Sequence, residues 1–428
     1  MINEEISLEP RAVEIIKKVK SLTTNELNKF SKEELINKVI QLSAHNTQLK
    51  NIINKKKLTN DVNEQPQISK RSFDFSRCNK KHILIKLLYL GWDYQGFATQ
   101  EDTIETIEHH LFEALIKSCL IESRQTSNYH RCGRTDKGVS SFGQVISISL
   151  RCSHEGQPEL KYCKILNRLL PKNIRTLAWR PVSADFSARF NCSSRTYKYF
   201  FPQGELNIKV MNEAAQFLIG TNDFRNLCKM DVGNGIVNFT RIINKANIEV
   251  LSEHSHPHSS GYNMCVFTLE GQGFLWHQVR CIMGLLLLVG FESEQPQIIK
   301  DLLNVNKHPK KPQYSMAHEV PLNLYHCTFE FENTEGDWVI DKKSLSEVVK
   351  TLQQTWSLLT IKETMVGTML EDISKGLLDI PQNDQASGLL QGVKRKVYIP
   401  LLERPKCESL ESRIEHYVKK KRIQLKNT

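Results

Sequence analysis

The chain has no Cys-x-x-Cys pair, and no group of Cys and His falls at the spacing of zinc ligands. Its 11 Cys are scattered singly over 428 residues. Such a set in a long chain reads as reduced thiols, so an intracellular compartment is expected rather than a disulfide framework. The first residues are acidic and polar, so a secretory leader is not expected. The longest apolar run, around 282–291, is too short to span a bilayer and reads as a buried helix. A soluble protein with no membrane partner is expected. Acidic residues are also in deficit: 58 Lys and Arg stand against 47 Asp and Glu, a formal net charge of +11. That excess favours a polyanionic partner, although a solvated basic surface would show the same balance.

What is present divides into four parts: 1–80, 81–185, 186–332 and 333–428. The first is rich in Lys, Asn and Glu. Leu35, Leu42 and Leu49 alternate there with Val39, Asn46 and Ile53, a seam about three heptads long with one polar Asn. It reads as a short coiled coil or as one amphipathic surface helix, followed by a polar linker. In the second part, runs at 82–90, 144–150 and 174–181 read as strands, with helices at 103–121 and 158–170. In the third, strands are expected at 195–201, 242–251, 262–270 and 325–332. Helices are expected at 208–220, 273–291 and 296–303. Two similar α+β units in tandem imply an α+β fold with one composite sheet and helices on one side. The last part shows helical patterning at 345–359 and 409–421, the latter ending in Lys419, Lys420 and Lys421.

The segment most suggestive of chemistry is Tyr129-His130-Arg131-Cys132-Gly133-Arg134-Thr135-Asp136-Lys137-Gly138-Val139-Ser140. Two Gly bracket a polar run, and Gly permits positive φ and close approach of a ligand. One carboxylate sits among three cations, which favour its ionised form and attract phosphates. The plainer reading is an exposed turn held by an Arg–Asp pair. A metal nuclease would need clustered carboxylates, and this loop offers only Asp136.

Gly133-Arg134-Thr135-Asp136-Lys137-Gly138-Val139 resembles the signature loop of TruA-type pseudouridine synthases. Two further stretches match that family in order. The first is Phe186-Ser187-Ala188-Arg189-Phe190 with Arg195-Thr196-Tyr197-Lys198-Tyr199. The second is Gly273-Phe274-Leu275-Trp276-His277-Gln278-Val279-Arg280 with Gly284. The resemblance spans about residues 80–332. It implies two tandem ferredoxin-like (RRM-like) subdomains forming one mixed, mainly antiparallel sheet with a central cleft. It also implies conversion of uridine to pseudouridine in tRNA without a cofactor or metal.

Asp136 then matches the essential carboxylate, with covalent attack and ribose deprotonation both left open; either requires an ionised group. Arg280 matches its basic partner, where an Arg reaching from an apolar helix to solvent is the plainer alternative. Tyr197 matches the aromatic that stacks on the flipped uracil, where a core Tyr on a strand is the plainer alternative. Arg131, Arg134, Lys137 and Arg189 become candidates for contacts to the tRNA backbone, and 308–312 a further basic edge.

Within the family, the chain is most similar to the branch acting at positions 38 and 39 of the anticodon stem-loop. Cys132 before the Gly, the stretches 224–231 and 311–317, and the tail 402–414 carry that similarity. Family members of this type are often homodimers, so a homodimer on tRNA is expected, resident in nucleus or cytoplasm. The competing readings are an inactive RNA-binding module, another enzyme on nucleic acid, and a sibling synthase acting at other uridines.

Overall fold

The computed structural model describes residues 73–252, 260–331, 337–376, 384–392 and 397–419, with Phe30, Ser31 and Glu34 apart from these. The Leu35–Ile53 seam and Lys420–Lys421 lie outside the described residues. Phe73–Thr428 is one compact unit.

Among the described residues, nine strands make one sheet in the order β4-β1-β3-β9-β5-β8-β7-β6, with the short β2 (His130–Arg131) paired to β3. Its left half holds β1 (Lys80–Tyr89), β3 (Ser140–Arg151) and β4 (Ile174–Pro181). The right half holds β5 (Cys192–Pro202), β6 (Gly220–Asp223), β7 (Thr240–Ser252) and β8 (Met264–Gly271). Between them runs β9 (Leu322–Phe329). It is antiparallel to β5 and pairs in parallel with β3, at Ser140↔Asn323 and Ser141↔Leu324. The two tandem units inferred from sequence are thus halves of a mainly antiparallel sheet, joined where β3 begins.

Alternation along the strands builds separate cores, because successive side chains leave opposite faces. Ile83, Ile85, Leu87 and Tyr89 of β1 pack with Leu111 and Leu115 of α1 (Ile107–Lys117) and Leu166 of α2 (Tyr162–Asn167). Leu84, on the other face, joins Val145, Leu324 and the chain segment around Phe186. In the right half, Tyr199 and Phe201 pack with α3 (Ile208–Gln216) and α4 (Gln278–Gly290). All of α4 is buried, as its unbroken apolar run requires. Gly284 lets it approach the 315–317 segment, where an added Cβ would stand 2.5 Å from the Ser315 carbonyl oxygen. The following α5 is short (Ile298–Leu303).

Several elements differ from the sequence pattern in length: the helices expected at 103–121, 158–170, 208–220 and 273–291 are shorter, and the strand expected at 144–150 is longer. The helix expected at 345–359 runs on as α6, Lys342–Ser374, 33 residues started by Asp341, whose side chain accepts from the Ser344 amide. The tail helix is α7 (Leu410–Lys419). Strands β2 and β6 were missed because two and four residues carry no usable period.

Candidate active site

The loop from Cys132 to Val139 leaves β2 and enters β3 at the junction of the two half-sheets. It is pinned throughout. The buried Gln144 amide accepts from the Gly133 N–H and donates to the Gly133 carbonyl at 2.9 Å. The Thr135 carbonyl accepts from the Phe97 N–H, and its hydroxyl lies 2.8 Å from the Tyr89 phenol. The Gly138 N–H donates to the Tyr94 carbonyl. Gly138 holds φ +76°, and an added Cβ would stand 2.7 Å from Glu319 Cγ. Gly133 is not among the positive-φ residues, so only the second Gly of the motif has that conformational role. Ahead of the loop, the buried thiols of Cys132, Cys192 and Cys327 lie within 4.8 Å of one another and pack its base against β5 and β9. No spacing in the sequence connects these three.

Asp136 stands at the loop's apex with a quarter of its side chain open, 28%. Burial pushes its carboxyl up to about 6, with the Glu319 charge adding to the rise and Arg280 and Lys229 opposing it. The sequence led us to expect the loop's own cations to hold Asp136 ionised. Instead desolvation dominates, because Arg134 and Lys137 lie exposed rather than against the carboxylate.

Arg280 differs from expectation too. No direct Asp136–Arg280 ion pair forms. The guanidinium is buried, and it donates to the Ala317 carbonyl (2.9 Å), Glu319 Oε2 (2.7 Å) and Gln391 Oε1 (2.8 Å). It does not reach to solvent either. Its charge still acts on Asp136, but the Glu319 carboxylate beside it offsets much of the effect.

A side chain to which the sequence assigned no role lies against Asp136. His277 Nε2 lies 3.4 Å from Asp136 Oδ2. Burial, then the charges of Arg280, Lys229 and Lys311, push His277 down to about 4, so it is neutral at physiological pH and the contact is not an ion pair. His277 precedes α4 with φ +56°, in the left-handed region that a non-Gly residue rarely occupies. Its place in the Gly273–Arg280 motif was the only signal available. Glu319 and Gln391 carried none.

Tyr197 of β5 is half-buried between the two cores, edge-on to Phe274 with ring centroids 5.1 Å apart. Its hydroxyl lies beside Gly133, 3.9 Å from where a Cβ would stand. Burial, with the charges of Cys327 and other neighbours including Asp136, holds the phenol well above its ordinary value, so it stays protonated.

The candidate RNA contacts separate. Arg131 Nη1 pairs with Glu108, which is wholly buried and also accepts from Tyr129 (2.7 Å) and Arg124 (3.1 Å). That guanidinium is an internal strut. Arg134, Lys137 and Arg189 are exposed and form no ion pair among the described residues. The like charges of Arg131 and Arg189, after burial, depress Arg134, which marks a cationic cluster. Arg189 lies over the ring of Phe190, itself 74% exposed. Lys229, whose charge acts on Asp136, lies 4.3 Å over the exposed Trp276 ring. In the 308–312 edge, Lys311 donates to the Cys228 carbonyl at 2.7 Å, leaving Lys310 exposed. A half-buried carboxylate on a loop that also carries exposed cations is chemically suited to a phosphate-bearing base substrate.

Comparison with known proteins gives concordant results. Residues 214–330 match the family described as tRNA pseudouridine synthase. The tRNA pseudouridine(38/39) synthase of Mus musculus is 45% identical, over 92% of this chain and 89% of that one. Its Homo sapiens counterpart is 44% identical, over 94% and 90%. That of Saccharomyces cerevisiae is 37% identical, over 79% and 78%.

Proposed function

Since the chain belongs to the tRNA pseudouridine synthase family and is a pseudouridine synthase of the TruA type, we propose that it isomerises uridine at positions 38 and 39 of the tRNA anticodon stem-loop. The observation that carries the catalytic part is the setting of Asp136. It is a carboxylate raised to about 6, open to solvent on one side, in contact with a neutral His277, and at the junction of the half-sheets.

Above pH 6 that group is mostly ionised, as either action at the ribose demands. A uridine inside a stem must leave its stack to reach it. Tyr197, beside the same loop, is the aromatic we assign to the extruded base. Its protonated hydroxyl keeps the site's charge concentrated on Asp136. Arg280, through Glu319 and Gln391, orients the floor of the site rather than touching the carboxylate. Arg134, Lys137 and Arg189 supply phosphate contacts that hold the stem-loop without reading sequence.

The test is a transcript carrying uridines at 38 and 39, incubated with the purified chain and with Asp136→Ala, and mapped for pseudouridine at single-base resolution. Product at those positions with the native chain alone is expected. Product only at other uridines removes the site assignment, and equal product from Asp136→Ala removes the carboxylate.

A further inference from the structure

Phe190 is 74% exposed, and of the described large apolar residues only Val397 is as exposed. A single exposed apolar residue is ordinary. What sets this one apart is how firmly it is held and what surrounds it. Phe186 and Ala188, in the same turn ahead of β5, are buried. The Ser187 carbonyl accepts from the Phe190 N–H (3.2 Å) and from the Asn191 N–H (2.9 Å). Asn191 Oδ1 accepts from the Ser187 N–H at 2.8 Å, and Ser147 Oγ of β3 accepts from the Ala188 N–H at 3.1 Å. The backbone that presents the ring is therefore fixed, although the ring itself stands in solvent.

Arg195 ties this turn to the loop that carries Asp136. Its Nη2 donates to the Arg189 carbonyl at 2.9 Å and to the Cys132 carbonyl at 3.2 Å. The Arg189 guanidinium lies 5.2 Å from the Phe190 ring centroid, and the His130 ring stands 6.2 Å away, edge-on at 70°. The Arg189 charge also reaches Arg134, two residues before Asp136. An apolar ring is thus set among cations assigned to phosphates. The face it offers to a bound nucleic acid is one on which a base stacks.

Bringing a paired uridine to Asp136 breaks its pair and its stacking on both sides. Tyr197 is assigned to the base once it is out, and that assignment leaves the gap in the stem unfilled. An apolar wedge between base steps offsets the unstacking, and stacking on an aromatic ring tolerates any sequence. We propose that Phe190 is that wedge: it enters the anticodon stem as the target uridine leaves, and so lets a paired uridine be used. This rests on the functional reading above. It gives Phe190 a role that an unpaired uridine does not need, so Phe190 sets which uridines the site accepts.

The test uses the full chain and one tRNA transcript with uridine at 38, in the loop, and at 39, paired in the stem. Phe190→Ala removes an exposed ring and leaves no cavity, so the fold is expected to stand. The variant is expected to lose at least about tenfold in rate at 39 and to stay within about threefold at 38. A base opposite 39 that cannot pair is expected to restore the variant there, and Phe190→Trp to act at 39 as the native chain does. Equal loss at both positions would make Phe190 a general contact, and no loss at either would make it none; each overturns the wedge. Product at neither position with the native chain is a failure of the functional reading instead. The wedge is then read without turnover, from pyrrolocytidine at 39, whose fluorescence rises when it leaves a stack. A rise with Asp136→Ala that Phe190→Ala in the same chain abolishes is expected. No rise, or a rise indifferent to Phe190, overturns the proposal.

Discussion

Asp136 decides the pH behaviour of the site. Burial sets its carboxyl at about 6 in the folded chain, and the chemistry we propose at the ribose requires the ionised form, so kcat/KM is expected to rise with pH through about 6 and then level. The two charges around it move that limb in opposite directions. Glu319→Gln removes a charge that raises Asp136 and leaves Arg280 unopposed, so the limb shifts to lower pH. Arg280→Gln removes the opposing cation, so it shifts higher. A pH–rate series on the three proteins checks this, and movement in one direction for both would contradict it. A raised acid also carries a stability consequence. Between the unfolded value of 3.8 and about 6 the folded state binds the extra proton, so the penalty of the buried anion grows over that window and is complete above it. Asp136→Asn is expected to abolish activity while stabilising the fold by about 1–3 kcal/mol at pH 8. Near pH 4 that gain should vanish, and urea unfolding at the two values measures it.

At the scale of elements, the loop that carries Asp136 depends on α1 as much as on its own residues. Glu108 lies wholly buried on α1. Burial pushes its carboxyl up, but the Tyr129 hydroxyl, the Arg131 guanidinium and the Thr99 amide together outweigh that and leave it depressed. The pair joins α1 to β2, the strand from which the loop departs. Removing one partner of such a pair leaves a charge without compensation, so Glu108→Gln is expected to destabilise the fold by about 3 kcal/mol in urea unfolding. Stability from a depressed acid is present above its unfolded value and lost as pH falls, so the difference between native and variant should shrink toward pH 3. The periodicity of the sequence showed that α1 exists. It could not show that Arg131, placed by its motif among RNA contacts, is committed inward, because its partner lies 23 residues earlier in the chain.

For the molecule as a whole, the net charge of +11 is the property that meets tRNA at a distance. Arg134→Gln, Lys137→Gln and Arg189→Gln are each expected to weaken tRNA binding by a similar factor for cognate and unrelated tRNAs, and to reduce the salt slope of log K by up to about one. Arg131→Gln is expected to act through stability instead, with little change in that slope. Binding isotherms across a salt series separate the two. The order of the longer strands and helices, the apolar α4 and the signature loop were legible in the sequence because each rests on local periodicity or on a contiguous motif. Strand β4 came out residue for residue at 174–181. The union of β3 with β9, the three-thiol base of the loop, the contact of His277 with Asp136 and the capture of Arg280 by Glu319 were not legible. Each joins residues from 39 to nearly 200 positions apart, and their protonation and pairing follow from burial, which no single stretch of chain possesses before the sheet closes.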